Sequence, residues 1–376
     1  MVDHENIIFL VVFSIFGLAA VIQLFYYLFF YLKVYTYQPS DSKTIKQPVS
    51  VIICARDEAE NLTNYLPMVL KQVYPDYEVI VVNDCSEDNS GDILSEFQKQ
   101  YPNLRISTVI KDPVFTHNKK FAQFIGIKAA KNDILLFTDA DCKPESEKWL
   151  EGMTESFSDK TIFVLGYGGY MNQRGLLNKY IRYDTVTIAM QYFGMAIRHI
   201  PYMGVGRNLA YRRSFFFDKK GFGSHIHLAS GDDDLFINEN ATGLNTCVEY
   251  RISTHTRSLP ATTFSEWVLQ KKRHLTTAPF YKFRDKLLLI TEPVTRIIFY
   301  ISLIVLLSFT FLWPFVLAIS GIRLITQITV FALVHKKMKE PGLVSYSLIF
   351  DIFSPLINSV VFLGKYRKRS GINKWK

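Results

Sequence analysis

The stretch that decides the fold is Ile134-Leu135-Leu136-Phe137-Thr138-Asp139-Ala140-Asp141, an apolar run that ends in two aspartates. Residues 134–137 are too few and too uniformly apolar for an amphipathic helix, so they predict a buried parallel strand. Residues two apart on an extended segment point the same way, and the carboxylates of Asp139 and Asp141 can therefore face one divalent cation. The alternative is an acidic N-cap for a helix that starts near Glu145.

Two earlier apolar runs end in the same kind of acidic turn. Residues 49–54 lead into a turn that contains Asp57, and residues 79–82 lead into a turn that contains Asp84. A helical stretch follows each run and is long enough to cross between parallel strands. Right-handed crossovers bring the carboxyl ends of such strands to one edge of the sheet, where ligands bind. These two aspartates and the later pair are therefore predicted to converge.

A second acidic focus lies at Ser230-Gly231-Asp232-Asp233-Asp234. Adjacent carboxylates repel one another, which raises at least one pKa and is costly unless a cation or a function requires it. One of these side chains could be the general base that takes a proton from an attacking hydroxyl. The alternative is a helix cap with acidic residues in its first turn. The preceding segment 204–208, Gly-Val-Gly-Arg-Asn, either brings backbone close to a substrate or makes a turn.

Basic residues are placed where they could meet an anion. Lys119 and Lys120 open a predicted helix that runs from Thr116-His117 to Lys131, and lysines at a helix N-terminus favour a phosphate role for one of them. A solvated basic face is the alternative. Residues 266–274 predict a basic amphipathic helix in which Gln270 and Arg273 share a face. The planar guanidinium of arginine is suited to binding diphosphate oxygens, which favours a ligand-binding role for this face. The same basic amphipathic pattern is also typical of a helix that lies on a membrane surface.

Composition limits the class of protein. With 376 residues, one large domain or two small ones are expected. The formal net charge is +9, but the basic residues cluster beside apolar spans instead of forming a stripe, so nucleic acid is not the expected partner. The four cysteines show no CxxC spacing, which predicts reduced, buried thiols in a cytosolic domain.

An uncharged N-terminal stretch, residues 7–32, is longer than a bilayer core requires. A signal peptide is disfavoured because Asp3 and Glu5 precede the stretch and no small-residue cleavage site follows it. Residues 1–33 are therefore predicted to be a retained transmembrane anchor.

Lysines follow this anchor at positions 33, 43 and 46, whereas no lysine or arginine precedes it. The positive-inside bias then places a globular domain, predicted over residues 47–293, in the cytoplasm. The expected location is the inner (plasma) membrane, with several passes.

The C-terminal region, residues 294–364, is predicted to return to the membrane. Its apolar stretches are 297–313, 315–334 and 343–364. Arg323 interrupts the second, and Asp351 is a possible partner for this costly charge. The third stretch is predicted to be a re-entrant or interfacial hairpin bent near Pro355, because a third span would put the basic tail, residues 365–376, outside.

Taken in order, the motifs resemble those of a membrane-anchored family 2 glycosyltransferase with the GT-A fold, the group that includes cellulose, hyaluronan and ceramide-glucose synthases. The resemblance covers about residues 49–274. Its matches are the first strand with its Arg-Asp-Glu end, Val82-Asn83-Asp84-Cys85-Ser86-Glu87-Asp88, the D-x-D pair, the acidic cluster and Gln270-x-x-Arg273. It implies an α/β domain with a Rossmann-like, mostly parallel sheet flanked by helices, and transmembrane helices at both ends.

The resemblance also implies a role for each matched residue. Nucleotide-sugar binding falls to Ala55, Arg56, Asp57, Glu58, Asp84, Lys120, Asp139, Gln270 and Arg273, with Asp57 and Asp84 at the base and ribose. Asp141, with Asp139, would hold Mg²⁺ or Mn²⁺. The catalytic base is the second carboxylate of an acidic pair, which is 232 and 233 or 233 and 234, so Asp233 is favoured and Asp232 is the reserve. The acceptor would meet Gly206, Arg207 and His274.

The implied activity is an inverting transfer from a nucleotide-sugar, with a UDP-sugar favoured, to a lipid-linked or saccharide acceptor near the membrane. His274 stands where processive members carry tryptophan, which counts against the first alternative, a processive polysaccharide synthase. The second alternative is a non-catalytic membrane protein that senses nucleotides. A dinucleotide-dependent dehydrogenase is disfavoured because the first strand leads into Ala-Arg-Asp-Glu and not into a glycine fingerprint.

Overall fold

The structure is a computed structural model that describes residues 4–39, 46–110, 118–228 and 230–364. Lys43, Thr116, His117 and the basic tail 365–376, which carried predictions from the sequence, lie outside these residues. The strands are β1 Val49–Ala55, β2 Tyr77–Asp84, β3 Leu104–Val109, β4 Ile134–Asp139, β5 Cys142–Pro144, β6 Phe163–Gly166, β7 Gly168–Tyr170, β8 Leu209–Arg212, β9 Thr246–Glu249 and β10 Thr256–Ser258.

Seven of these strands form one sheet in the order β3-β2-β1-β4-β8-β6-β9. Strand β1 lies between β2 and β4 and is parallel to both, with Cys54 opposite Val82 on one side and Asp139 on the other. The apolar runs that predicted these strands are almost entirely buried, as expected for parallel strands that are covered on both faces. The carboxyl ends of β1, β2 and β4 therefore meet at one edge, and the prediction of a mostly parallel sheet is confirmed.

The other strands were less visible in the sequence. Strand β8 is antiparallel to β4 and β6, and β6 begins at Phe163. A second sheet has the order β5-β10-β7 and begins directly after Asp141. The next helix after Asp141 starts at Trp149, so in the described stretch 118–228 the two aspartates do not cap a helix near Glu145.

Helices cover both faces of the large sheet. They are α3 Ala59–Leu70, α4 Ser90–Gln100, α5 Lys119–Ala129, α6 Trp149–Thr154, α7 Leu176–Ile197, α8 Arg213–Asp218, α9 Asp234–Asn240 and α10 Phe264–Leu275. Helices α3 and α4 are the crossovers predicted after the first two strands. Most residues of helix α7 are buried. The four cysteines are free, as predicted, but only Cys142 is buried.

Within the part of the chain that the structure describes, four helices are long and apolar enough to cross a membrane. The first is built from α1 His4–Phe25, a π-helical segment Tyr26–Tyr31 and α2 Leu32–Thr36, and the others are α11 Phe283–Ser308, α12 Trp313–Lys337 and α13 Val344–Gly364. Helix α11 continues through Pro293, so the domain boundary predicted there falls inside a helix. The first turn of α11 belongs to the central domain, by which we mean the two sheets and helices α3 to α10, because Asp285 accepts a hydrogen bond of 2.9 Å from Asn238 of α9.

The hairpin predicted near Pro355 is wrong, because α13 is one continuous helix through that residue. A proline removes one backbone hydrogen bond from a helix, and packing against neighbouring helices can compensate for this loss. Both ends of α13 touch the central domain. Lys179 of α7 donates to the Tyr346 hydroxyl over 2.7 Å, and Gly364 lies against the Lys272 side chain of α10. The helix therefore lies along the central domain.

A buried ion network joins the apolar helices. The Arg323 guanidinium is fully buried and lies 2.8 Å from the Asp351 carboxylate, which confirms the partner suggested by the sequence. Arg296 of α11 contacts the same carboxylate over 3.1 Å. Tyr27 of the first helix also bonds Arg323, so the network includes all four apolar helices.

Candidate active site

The D-x-D pair lies where β4 ends at the carboxyl edge of the sheet. Ligand atoms of Asp139, Asp141 and Cys142 lie within 4.8 Å of one another. Burial and the charge of Asp139 raise the pKa of Asp141, so a cation placed between the two carboxylates would relieve this repulsion. Burial also raises the pKa of the Cys142 thiol, which leaves carboxylate oxygens as the available ligands. Two carboxylates suit Mg²⁺ or Mn²⁺, and these residues therefore fit such an ion.

The loop after β1 is tied to the loop after β2. Asp57 has a left-handed backbone with φ 53°, which aspartate tolerates better than most residues. Its carboxylate accepts a hydrogen bond of 2.7 Å from the amide of Glu87, and its own amide donates to the Ser86 hydroxyl over 3.0 Å. The Glu58 amide donates to Ser90 in the same way. The two loops thus form one rim.

The residues predicted at this rim differ in what they can offer a ligand. Asp57 is exposed, Arg56 and Glu58 are partly buried, and Ala55 is fully buried within β1. Asp84 is fully buried at the end of β2. These residues share the carboxyl edge with the D-x-D pair, but they do not line the large cavity described below.

The lysine at this edge is Lys119, and not Lys120 as the sequence suggested. The Lys119 ammonium lies 2.6 Å from the Asp139 carboxylate and 3.8 Å from that of Asp232. Although burial acts in the opposite direction, this ammonium holds the pKa of Asp139 below its ordinary value. Lys120 is fully buried and donates to the backbone carbonyls of His225 and Leu228. Successive helical residues point about 100° apart, so only one of the pair can face the edge.

The acidic cluster is both a helix cap and a candidate base. Asp233 is the N-cap of α9, and one of its oxygens accepts from the amide of Asp234 over 2.7 Å. Its other oxygen accepts from the amide of Gly206 over 2.6 Å. A side chain at Gly206 would begin 3.2 Å from this carboxylate, which explains a glycine at the point of closest approach. The cap alternative is thus realised, and it places Asp233 against the glycine-rich segment.

The three carboxylates of the cluster have different surroundings. Burial, followed by the charges of Asp232 and Asp234, raises the pKa of Asp233 to about 7. Asp234 is buried and accepts hydrogen bonds from the hydroxyls of Thr277 and Tyr281. These two bonds engage Asp234 in the packing of the domain. All three aspartates line the cavity, but Asp232 and Asp233 do not take part in these two bonds.

Helix α10 supplies the next wall of the site. A capping box of Thr263 and Glu266 fixes its start. Gln270 donates to the Tyr170 hydroxyl over 3.0 Å, and Gln270, Arg273 and His274 all line the cavity. The side chain of His274 is exposed to the cavity, where partial removal from water by the surrounding protein, followed by the charge of Arg273, lowers its pKa. The imidazole is therefore neutral at physiological pH.

Two residues at the site, Lys119 and Tyr170, were not among those predicted to bind the donor. Tyr170 lies at the end of β7, and the Arg207 guanidinium stacks on its ring with 4.3 Å to the ring centre. One Arg207 nitrogen is buried and has no hydrogen-bond partner among the described residues. Lys119 had a signal in the sequence, the lysine pair at a helix start, but Tyr170 had none.

One cavity of about 830 Å³ brings these elements together. At the catalytic end it is lined by Lys119, Asp139, Tyr170, Gly206, Arg207, Asp232, Asp233, Asp234, Gln270, Arg273 and His274. The same cavity continues along the middle of α7 to the facing sides of α11 and α13. The candidate base, a D-x-D carboxylate and the Gln-x-x-Arg pair therefore share one cavity.

Comparison with known proteins identifies the family that part of the chain resembles and the fold. The sequence model for glycosyl transferase family 2 matches residues 50–218. Glycosyltransferase AglE of Haloferax volcanii is 37% identical over 120 residues, which are 31% of this chain and 38% of the relative. The probable glycosyltransferase YdaM of Bacillus subtilis is 30% identical over 222 residues, 57% of this chain and 49% of the relative. The chain thus spans at most about half the length of these relatives.

Among solved structures, a mannosyltransferase from Pyrobaculum calidifontis in complex with GDP-Man and Mn²⁺ is similar, with a TM-score of 0.56 and 15% identity. The match covers 90% of this chain and 99% of the mannosyltransferase, and at this identity it reports on the fold alone. The sheet topology and the family match agree. Residues 50–218 of this chain therefore constitute a glycosyltransferase family 2 domain, within an α/β architecture of the GT-A type.

Proposed function

We propose that this protein transfers a sugar from a nucleotide-sugar to an acceptor at the membrane surface, with inversion at the anomeric carbon. The observation that carries the proposal is that Asp139, Asp233 and Arg273 line one cavity. A carboxylate at the sugar, a base for the acceptor and a cation for the leaving group are the parts that a direct displacement needs.

The donor would lie along the carboxyl edge of the sheet. Asp57 and Asp84, at the ends of β1 and β2, are suited to the base and ribose, and Gln270 and Arg273 to the diphosphate. Lys119 takes the place of Lys120 in this proposal because its ammonium reaches Asp139. A UDP-sugar is the first donor to test, and GDP-mannose is the second because the mannosyltransferase of similar fold was solved with it.

Asp141 and Asp139 would hold Mg²⁺ or Mn²⁺ through carboxylate oxygens. Such an ion, when bound, neutralises charge on the departing diphosphate. Arg273 and Arg207 add fixed positive charge on the same side of the cavity, where charge develops as the bond to the sugar breaks.

Asp233 is the proposed base. Its two backbone hydrogen bonds fix the orientation of the carboxylate, and its raised pKa brings its proton affinity close to that needed near neutral pH. Asp233 would take the proton of the acceptor hydroxyl while that oxygen attacks the anomeric carbon opposite the leaving diphosphate. Asp234 is disfavoured because Thr277 and Tyr281 already occupy it, so the acidic pair is 232 and 233. No covalent intermediate is required.

We infer a cytoplasmic catalytic domain between an N-terminal anchor, residues 1–33, and a C-terminal membrane region that begins with α11. Lysines at positions 33 and 46 favour this orientation. Four apolar helices and a histidine at position 274 favour a single transfer over processive synthesis. A ladder of long products on a gel would instead support a processive synthase.

The test uses the full-length protein in detergent with a panel of radiolabelled nucleotide-sugars, with and without EDTA. We expect one donor to be consumed in a metal-dependent reaction, with label appearing in an acceptor from native membranes. Asp141→Ala and Asp233→Asn should each abolish transfer in a folded protein. Transfer at the wild-type rate in either variant would disprove the role assigned to that residue, and consumption of no donor would leave a nucleotide-sensing protein.

A further inference from the structure

The catalytic cavity does not end at the sheet. It continues past Tyr183 and Ile188 of α7 and reaches Ile290 and Val294 of α11 and Leu363 of α13. The last three side chains are 59%, 44% and 68% exposed although they are apolar. They belong to two of the four helices that are long and apolar enough for a membrane. The outer mouth of the cavity therefore has the chemistry of a bilayer.

The gap between α11 and α13 is bounded at both ends. On one side, Arg296 bonds the Asp351 carboxylate and the Ser354 hydroxyl and holds the two helices together. On the other side, Gly364 lies against the Lys272 side chain of α10. Between these contacts the cavity wall consists of side chains from both helices, so the opening is lateral.

Polar groups lie between the apolar mouth and the carboxylates. The side-chain oxygen of Asn358 is buried and has no hydrogen-bond partner among the residues that the structure describes. Lys286 also lines the cavity, and its ammonium contacts a backbone carbonyl at 3.2 Å. An elongated ligand with an apolar tail and a polar head would thus meet matching surfaces along its whole length.

We propose that this gap is a lateral portal for the acceptor, and that the acceptor is a membrane lipid. Its hydrocarbon chain would lie between α11 and α13, and its hydroxyl or phosphate head would reach Asp233. This inference rests on the proposed function and names its acceptor class. A water-soluble saccharide has no use for an apolar opening between two membrane helices.

The first experiment measures occupancy without requiring catalysis. Full-length protein in phosphatidylcholine vesicles is irradiated with a long-chain alcohol that carries a diazirine, and separately with its monophosphate. Residues labelled on the outer faces of α11 and α13 report only contact with the bilayer. We expect at least one probe to label Ile188, a partly exposed residue of α7 that lines the cavity, because α7 is not one of the membrane helices. Labelling confined to the outer faces for both probes would overturn the portal.

The second experiment narrows the opening. Ile290→Trp and Leu363→Trp place a large side chain at the mouth, whereas Ile301→Trp and Val360→Trp, at exposed positions that do not line the cavity, are matched controls. Label from the donor is counted in the organic phase as glycolipid and in the aqueous phase as free sugar. The mouth variants should lose glycolipid at least about ten-fold relative to the controls, with hydrolysis of the donor changed by no more than about two-fold.

The outcomes separate this inference from the proposed function. If wild-type protein consumes no donor, the proposed function fails, while labelling of α7 still reports whether a lipid enters. If wild-type protein transfers sugar only to a water-soluble acceptor, or if the mouth variants match their controls, the enzyme stands and the lipid portal falls.

Discussion

Replacing Asp233 by asparagine should abolish transfer and, at alkaline pH, stabilise the protein. The pKa of this carboxyl is raised from 3.8 to about 7 by burial and by the neighbouring Asp232 and Asp234. Because the folded state binds its proton more tightly than the unfolded state, wild-type stability falls as the pH rises from about 4 to about 7. Between these two pKa values, each pH unit lowers the free energy of unfolding by about 1.4 kcal/mol. The ionisation of Asp233 therefore lowers the free energy of unfolding by about 4 kcal/mol at pH values above about 7, compared with pH values below about 4.

Asparagine removes this cost but also loses a hydrogen bond. The carboxylate accepts from the amides of Gly206 and Asp234, whereas an asparagine side chain has one oxygen and can serve only one of them. The amide left without a partner costs about 1–3 kcal/mol. The net stabilisation at about pH 8 is therefore about 1–3 kcal/mol, or a few degrees in Tm for a domain of this size. At about pH 5 the difference should be near zero or negative.

The assay is the Tm of wild-type and variant protein in detergent at several pH values between about 5 and about 8, with transfer measured in parallel. Asp133→Asn is the matched control. Its carboxylate lies at the opposite edge of the sheet, and although burial raises its pKa, hydrogen bonds from Ser214 and Arg212 outweigh burial and lower it. Because both the folded and the unfolded states of wild type carry an ionised Asp133 throughout this pH range, the control should be less stable than wild type by an amount that does not change with pH, and it should keep transfer activity. The reasoning is refuted if Asp233→Asn transfers sugar or if its Tm difference from wild type is independent of pH.

Three further substitutions test other parts of the structure. In wild type, Mn²⁺ together with a nucleoside diphosphate should raise Tm, and Asp141→Ala should remove this rise. The Tm without metal should not fall in this variant, because the repulsion between Asp141 and Asp139 is relieved. A rise in Tm with Mn²⁺ in the variant would contradict the metal site. Lys119→Met should reduce kcat/KM about ten-fold or more and also lower Tm, because Asp139 and Asp232 lose their cation. Lys120→Met should lower Tm by leaving two backbone carbonyls unpaired while kcat/KM of the folded protein changes little; a loss of kcat/KM of about ten-fold in Lys120→Met alone would restore Lys120 as the donor ligand. Arg323→Met should lower the free energy of unfolding by about 3–5 kcal/mol, because the buried Asp351 carboxylate loses one of its partners. Adding Asp351→Asn should recover part of that loss. Purely additive losses would show that the two charges are not coupled.

The sequence predicted the part of the fold in which local pattern and burial agree. Strands β1, β2 and β4 are continuous apolar runs because both faces of a parallel strand are covered, and each ends at an acidic turn. The second sheet could not be predicted in this way. Its strand β7, Gly168–Tyr170, is three residues long, too short for an alternating pattern to appear.

The candidate site was predictable by residue type but not by direction. Asp139, Asp233 and Arg273 are brought to one cavity from positions far apart in sequence. The choice between Lys119 and Lys120 depends on where α5 begins, and a shift of one residue turns a helical side chain by about 100°. The hairpin near Pro355 was predicted from charge bias alone, which says nothing about the contacts that both ends of α13 make with the central domain.

The membrane region also supports the site mechanically. Glu340, which follows α12, is buried and accepts a hydrogen bond of 2.7 Å from the Tyr167 hydroxyl beside β7, and it pairs with Arg257 of β10. Strand β7 ends at Tyr170, the partner of Gln270, and β10 ends at a serine whose hydroxyl bonds the Asp141 carboxylate over 3.3 Å. Two strands that hold residues of the proposed donor site thus contact a carboxylate from the segment between two of the apolar helices. The connection between α12 and α13 therefore packs directly against the strands of the proposed donor site, so a substitution at Glu340 should disturb Tyr170 and Ser258 without touching the cavity itself.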